Sequence, residues 1–348
     1  MRGWRGGGME KRLKGDGMER GSKGDDIFSV IKEVAKKYQV EISDIDKEKR
    51  FIPVGIVSID WVLHGKGFPL GAIVEVFGDY SSGKSYLCYK LMSKVQREDV
   101  LCVLIDTEGS FDREWVVRCG VDLGKLIVIN PMYLEEMFEM LAELFERVKE
   151  SIFVVWDSLP ATPSKFELKE GFDKRDLTKA QVIGQGIRLI LRWLSKKDIT
   201  FVIVNQLREK IGSFGGFEFT PGGRMLGYAA SLKLSLRQGA KIKGSDGKVV
   251  GSKIIVECVK SKYFSPFRRV EVEFLFSKGI EWWSGLFQVL VNCSAIEVVG
   301  GGWYKIRDDS QKFREDDFYE RLLLRDERVL NLVKSALGID LEAYYGNE

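Results

Sequence analysis

Residues 72–96 read AIVEVFGDYSSGKSYLCYKLMSKVQ. The stretch opens as a short apolar run rich in β-branched residues, breaks at a glycine-containing turn, and resumes at helical spacing. Its centre, Gly78-Asp79-Tyr80-Ser81-Ser82-Gly83-Lys84-Ser85, fits GxxxxGK[ST] in the strand-to-helix context that this pattern requires. Such a loop turns backbone N–H groups inward around phosphates. Lys84 is placed to reach the β and γ oxygens, and the Ser85 hydroxyl to ligate Mg²⁺. With Tyr86, the first residue of the following helix, these positions form the expected nucleotide-binding set.

Working outward, short β-rich runs alternate with helical patterns. Strands are expected at 72–77, 100–106, 126–130, 152–156 and 200–205. This alternation implies a mostly parallel sheet covered by helices on both faces. Between two of the strands, Leu134, Met137, Phe138, Leu141, Phe145 and Val148 mark one helical face, with Glu135, Glu139, Glu143 and Glu146 mostly opposite. After Gly223 the runs 231–237, 252–262 and 268–276 alternate as in antiparallel strands, and SDGK at 245–248 supplies a hairpin turn. The expected organisation is a disordered basic tail (1–24), an N-terminal helix suited to oligomerisation (25–50), an ATPase core (51–280) and a small α+β domain (281–348). In the second segment Ile27, Ile31, Val34, Ala35 and Tyr38 recur at helical spacing behind a cap at Asp25-Asp26.

Composition narrows the classes further. The chain has 348 residues, 45% hydrophobic and 30% charged, enough for a full core and an appendage. A net charge of +3 neither demands nor excludes a polyanionic partner, because local patches decide that. Cys88, Cys102, Cys119, Cys258 and Cys293 lie far apart without a CxxC pair, which reads as reduced, buried thiols in a cytoplasmic protein. A single histidine, His64, argues for a structural use and against a histidine metal site or a catalytic triad. No apolar run reaches the roughly 18 residues that a membrane span needs.

Acidic residues complete the first picture. Asp157 ends the apolar run FVVWDS, where it can hold Mg²⁺ through its water shell. Asp106 and Glu108 in LCVLIDTEGSFD end the strand after the phosphate-loop helix, and parallel strands present such ends at one ligand-binding edge. Residues 178–194 form a helix with Val182, Ile183, Ile187, Ile190, Leu191 and Leu194 inward and a polar stripe of Gln181, Gln185, Arg188 and Arg192. The segment VNQLREKIGSFGGFEFTPGG (204–223) leaves a strand as a long glycine-rich, basic and aromatic loop.

These motifs, in this order, resemble the RecA recombinase family over about residues 27–325. The match takes in IPVGIVSIDWVLHGKGFPLGAIVEVFGDYSSGKS, IDTEGSFDREWVVRCGVD, VVWDSLPATP, VIVNQLREKIG, PGGRMLGYAASLKL, VVGSKIIVECVKSKYFSPF and GGWYKI. A unit following the core favours the bacterial and phage branch. The resemblance implies that Glu108 activates water, Asp112 contacts adenine, Trp115 stacks on it and Gln206 senses the γ-phosphate. It implies that Lys260 and Lys262 reach ATP held by the adjacent subunit of a helical filament, acting much as an arginine finger does. It places one DNA loop at 165–177, beside Gln181 and Arg188. A second lies at 207–223, where Arg208, Lys210, Phe214, Gly222, Gly223 and Arg224 meet single-stranded DNA, and duplex DNA during exchange.

The implied activity is a DNA-dependent ATPase for homologous pairing and strand exchange in recombination, repair and the SOS response. Two alternatives share the core: an accessory mediator without strand exchange, and a ring-forming helicase or regulatory ATPase. The sequence also departs from the family's pattern. Both DNA loops differ in length, Phe217 and Phe219 replace polar positions, and Arg224 stands where asparagine is common. Gly227 replaces a lysine, Glu257 replaces a basic residue, and LEAYYGNE lacks the acidic tail of many bacterial members.

Overall fold

The structure, a computed structural model, describes residues 22–38, 48–170, 177–194, 196–209, 218–219 and 221–345. Residues 1–48 and 49–348 are two units. In the first, helix α1 (Ser22–Lys37) begins three residues before Asp25, so the expected acidic cap falls inside the helix. Its Ile27, Ile31, Val34 and Tyr38 are exposed.

The second unit opens with β1 (Phe51–Ile52), helix α2 (Val57–Val62) and β2 (Phe68–Pro69), the two strands pairing antiparallel. The alternating pattern then becomes β3 (Ile73–Gly78), α3 (Lys84–Gln96), β4 (Leu101–Asp106), α4 (Arg113–Arg118), β5 (Leu126–Ile129), α5 (Leu134–Arg147) and β6 (Ile152–Asp157). Helices α6 (Lys165–Glu170) and α7 (Leu177–Leu194) lead into β7 (Thr200–Gln206). Two-residue strands β8 (Arg208–Glu209) and β9 (Glu218–Phe219) pair antiparallel and precede helix α8 (Gly223–Ala229). Long strands β10 (Leu232–Lys243), β11 (Val249–Ser261) and β12 (Arg269–Leu275) follow, with the short β13 (Gly279–Ile280).

These strands build a nine-stranded sheet in the order β13-β12-β11-β10-β3-β7-β6-β4-β5. From β10 to β5 every neighbour pair is parallel; from β10 to β13 every pair is antiparallel. The antiparallel expectation for 231–237 therefore holds on only one side of β10. Its other side runs parallel to β3, because α8 carries the chain back across the sheet as a crossover. The β10–β11 turn closes with Gly247 N donating to Gly244 O at 2.9 Å.

Strands buried on both faces read as continuous apolar runs, and β3 and β6 are buried along their whole length. One face holds Val74, Val76, Leu87, Leu91 and Leu104; the other holds Ile73, Ile105, Trp156, Phe138 and Ile187. Helix α7 lies close to α5 because a Cβ at Gly186 would stand 2.2 Å from the Phe138 ring. Leu191, expected inward, is exposed on α7.

Helix α9 (Leu286–Asn292), the three-stranded sheet β14 (Ile296–Gly300), β15 (Trp303–Ile306) and β16 (Lys312–Phe313), and helices α10 (Glu315–Leu323) and α11 (Glu327–Leu337) share their own core. That core also takes in Val57 of α2. A buried carboxylate fastens the end of the chain nearby. Asp60 accepts from Val54 N at 2.7 Å, Gly55 N at 3.0 Å and the Tyr344 hydroxyl at 2.9 Å. The cysteines are free; four are buried, and Cys293 is exposed, against expectation. His64 bonds Ser265 O at 2.9 Å and stacks on Phe264, a structural use.

Candidate active site

The phosphate loop joins the end of β3 to the start of α3, at the carboxyl edge of the parallel strands, where Gly78 is in register with Gln206 of β7. Its entry is dictated by a neighbour. A Cβ on Gly78 would stand 1.7 Å from Leu236 O of β10, and φ there is +152°. At its exit Gly83 takes the left-handed conformation, φ +81°, and caps α3. Lys84 folds back over this turn, donating to Asp79 O at 2.5 Å and to Gly78 O at 3.3 Å. Burial holds its pKa below the usual lysine value, against the opposing pull of the Asp157, Glu108 and Asp79 carboxylates.

Asp157 stands at the tip of β6, in register with Asp106 of β4. Its Oδ2 accepts from Ser85 Oγ at 2.6 Å. Burial pushes its pKa up to about 6; the Ser85 bond and Lys84 pull it down, whereas Glu108 and Asp106 add repulsion. Lysine and carboxylate attract each other, yet burial biases both toward their neutral forms. A polyphosphate entering here would meet a cation that gains from its charge. Asp106 is committed to structure, accepting from Phe111 N at 3.0 Å and Ser110 N at 3.2 Å.

Glu108 is held from two sides. Ser158 Oγ donates to its Oε1 in a short hydrogen bond, and Gln206 Nε2 donates to the same oxygen at 3.2 Å. Behind Ser158 runs a chain of hydroxyls. Ser158 N donates to Thr107 Oγ1 at 3.1 Å, Thr162 Oγ1 to Thr107 Oγ1 at 3.0 Å, and Trp156 Nε1 to Thr162 Oγ1 at 2.9 Å. This chain ties the Glu108 loop to the tip of β6.

A cavity of about 380 Å³ is lined by Tyr80 to Tyr86, Glu108, Trp115, Asp157, Val204, Gln206, Phe274 and Phe276. Lys84, Ser85, Glu108, Asp157 and Gln206, drawn from four separate segments, therefore converge on one space. Within the loop, Ser82 Oγ donates to Asp79 O at 2.8 Å, and Ser81 has φ +53°. One expected member of the loop faces elsewhere: the Asp79 carboxylate accepts from Gln238 N at 2.9 Å. Tyr86 lines the cavity with its hydroxyl pinned to Ile280. Asp112 caps α4, its Oδ1 accepting from Glu114 N at 2.9 Å and Trp115 N at 3.1 Å.

Lys260 and Lys262 are not among the residues lining this cavity. Lys260 Nζ instead donates to Gly227 O and Ala230 O, each at 2.7 Å, and to Tyr228 O at 3.3 Å, closing the end of α8. Gln181, Gln185, Arg188 and Arg192 are exposed along α7 as expected. Helices α7 and α8 lie side by side: a Cβ on Gly223 would stand 3.3 Å from Ala180 Cβ. This packing brings the start of the α7 stripe next to Gly222, Gly223 and the exposed Arg224. Arg208 and Phe219 lie on β8 and β9. Lys210, Phe214 and Phe217 lie outside the described residues.

Sequence reading missed Phe274, in β12, and Phe276, just past its end, although their spacing of two in the run 268–276 is the alternation that puts strand side chains on one face. It also missed Thr107, Ser158 and Thr162. Each of these sits within five residues of a carboxylate singled out in the sequence, a proximity that is itself a usable signal.

The family model of the RecA N-terminal domain matches residues 27–281. A protein named Protein RecA from Tropheryma whipplei is 34% identical over 310 residues, covering 87% of this chain and 69% of that protein. One of the same name from Mesoplasma florum is 32% identical over 80% of this chain and 85% of its own length. Another, from Thermus thermophilus, is 31% identical over 79% and 82%. Together with the parallel sheet and the phosphate loop at its carboxyl edge, these matches establish that the chain belongs to the RecA family.

Proposed function

We propose that this chain is a DNA-dependent ATPase that assembles as filaments on single-stranded DNA and catalyses homologous pairing and strand exchange in recombination and repair. The observation that carries the reading is the contact between Gln206 and Glu108 at 3.2 Å. It joins a residue at the root of the long 207–223 loop to the candidate general base. With ATP bound, Lys84 leaves its loop carbonyls for the β and γ oxygens. Glu108, steadied by Ser158, takes the proton of the attacking water. Gln206 divides its amide between Glu108 and the γ-phosphate, so its backbone position depends on whether that phosphate is present.

The Ser85 hydroxyl and the Asp157 carboxylate are hard oxygen donors meeting at 2.6 Å, which suits Mg²⁺. Among the described residues no cluster of three His, Cys, Asp or Glu side chains offers a metal site made of protein alone. Ser85 and Asp157 would hold the ion beside the phosphates, where it would supply neutralisation of their charge. Trp115, Phe274 and Phe276 supply apolar and aromatic walls for the base. Lys260 and Lys262 act on ATP held by an adjacent subunit. Arg188, Arg224 and the Gly222 and Gly223 amides meet the DNA backbone. The protein works in the cytoplasm, and no helix among the described residues is long and apolar enough to cross a membrane.

The test is the ATPase rate of the purified protein with and without single-stranded DNA, across salt concentrations. Stimulation by DNA that falls steeply with salt is expected. DNA binding that ignores ATP would sink the reading, and rings in place of filaments in electron micrographs would favour a helicase.

A further inference from the structure

Asn205 is completely buried at the end of β7, one residue before Gln206. Every polar group of its side chain is engaged. Nδ2 donates to Glu75 Oε1 at 2.8 Å and to Pro221 O at 2.7 Å, and Oδ1 accepts from Gln206 N at 2.9 Å. Glu75, also completely buried, lies on the adjacent strand β3, with Lys233 Nζ of β10 in ionic contact at 2.9 Å but without hydrogen-bond alignment. A buried carboxylate needs both a counter-charge and a hydrogen-bond donor. Lys233 supplies the first and Asn205 the second.

One of the Asn205 bonds leads out of this network. Pro221 directly precedes Gly222, which caps α8 with φ +108°, and a Cβ on Gly222 would stand 3.2 Å from Leu159, two residues beyond Asp157. The backbone of Gln206 and the carbonyl of Pro221 are thus bound to one side chain. Residues 207–220 separate them along the sequence, yet the route through Asn205 is two hydrogen bonds long.

We propose that Asn205 is a positioning residue that couples the nucleotide-facing Gln206 directly to the DNA-facing start of α8, bypassing the 207–220 loop. Glu75 and Lys233 fix the orientation of its amide. The proposal rests on the recombinase reading of Gln206 and Gly222-Gly223. Its chemistry is specific: Asn205 must donate twice and accept once. Alanine removes the bridge. Glu75→Gln keeps an oxygen acceptor for Asn205 and replaces the Lys233-paired oxygen by a neutral amide nitrogen.

The experiment uses the full chain and measures single-stranded DNA affinity with a non-hydrolysable ATP analogue and with ADP. Asn205→Ala is expected to cut the ratio of the two affinities by about tenfold or more, the scale of ordinary allosteric coupling, with affinity for the analogue in the absence of DNA within about twofold of wild type. Glu75→Gln is expected to keep the wild-type ratio. A wild-type ratio near one overturns the recombinase reading and the coupling together. A large wild-type ratio that Asn205→Ala leaves intact, or that Glu75→Gln abolishes equally, overturns the coupling alone. Should Asn205→Ala not fold, deuterium exchange on the wild type decides. Analogue binding without DNA is expected to slow exchange of the amides at 222–229, and unchanged exchange there overturns the proposal.

Discussion

Two aspartates in different regions of the second unit face the same physical problem. Asp157 at the tip of β6 and Asp60 in α2 both have pKa values pushed up to about 6, in each case mainly by burial. Their surroundings differ in kind. Two of the three donors to Asp60 are backbone N–H groups, at Val54 and Gly55, and the third is the Tyr344 hydroxyl. Around Asp157 stand a serine hydroxyl, an ammonium and two further carboxylates, and both the hydroxyl and the ammonium are side-chain groups that can rotate. A raised pKa therefore does not separate a functional acid from a structural one. The mobility of the donors does: fixed amides hold a joint, whereas a hydroxyl and an ammonium can be handed to a ligand.

The sharpest way to break this comparison is at Lys84. Lys84→Ala should reduce ATP hydrolysis and nucleotide-dependent DNA binding by at least about a hundredfold, read as kcat and as DNA affinity, with the fold intact. Glu108→Gln should lower kcat by about 10²–10⁴ while the protein still binds ATP and DNA. If both variants instead lost only stability, the Asp157 region would be a joint like that at Asp60.

Acidity tests the two aspartates together. A folded-state pKa near 6 against 3.8 means that folding favours the protonated carboxyl. That contribution to stability is complete below about pH 3.8 and is lost as the pH rises through about 6. The shift corresponds to roughly 3 kcal/mol per residue. Asp157→Asn should therefore melt higher than wild type at pH 7.5 without nucleotide, and the two should converge toward pH 4. A variant that melts lower at neutral pH would show that Asp157 is needed as a charge for the fold itself. The smallest effect is expected at the joint. Tyr344→Phe should cost about 1–2 kcal/mol in urea unfolding and leave the ATPase rate unchanged.

Much of the sheet was legible because periodicity is a local property. The apolar runs at 152–156 and 200–205 differ from the observed strands by a single residue, and Glu108, Asp157 and Gln206 meet because parallel strands end at one edge. What was not legible is how each polar group divides its bonds. Asp112 lies where the family resemblance puts an adenine contact, yet in this chain its Oδ1 caps α4. Asp79, within the phosphate motif, turns to Gln238, some 160 residues onward in the sequence. Leu191 fits the inward spacing of α7 but stands exposed near the end of that helix. Phe274 and Phe276 fall in the alternating run 268–276, and nothing local says that the far half of the sheet reaches the nucleotide cavity.

Gly78 carries a last consequence, and it concerns order in time. The carbonyl that forbids a side chain there belongs to Leu236 on β10, which pairs with β3 only after the chain has crossed the sheet through α8. Contacts this distant in sequence form slowly, since the intervening chain must first lose its freedom. The phosphate motif is complete by residue 85, yet the backing strand that moulds it is synthesised and docked much later. A nascent or truncated chain ending before Leu232 would hold the whole motif and most of the parallel sheet without a finished nucleotide site. The entry to the phosphate loop thus takes its final form only once β10 has docked against β3.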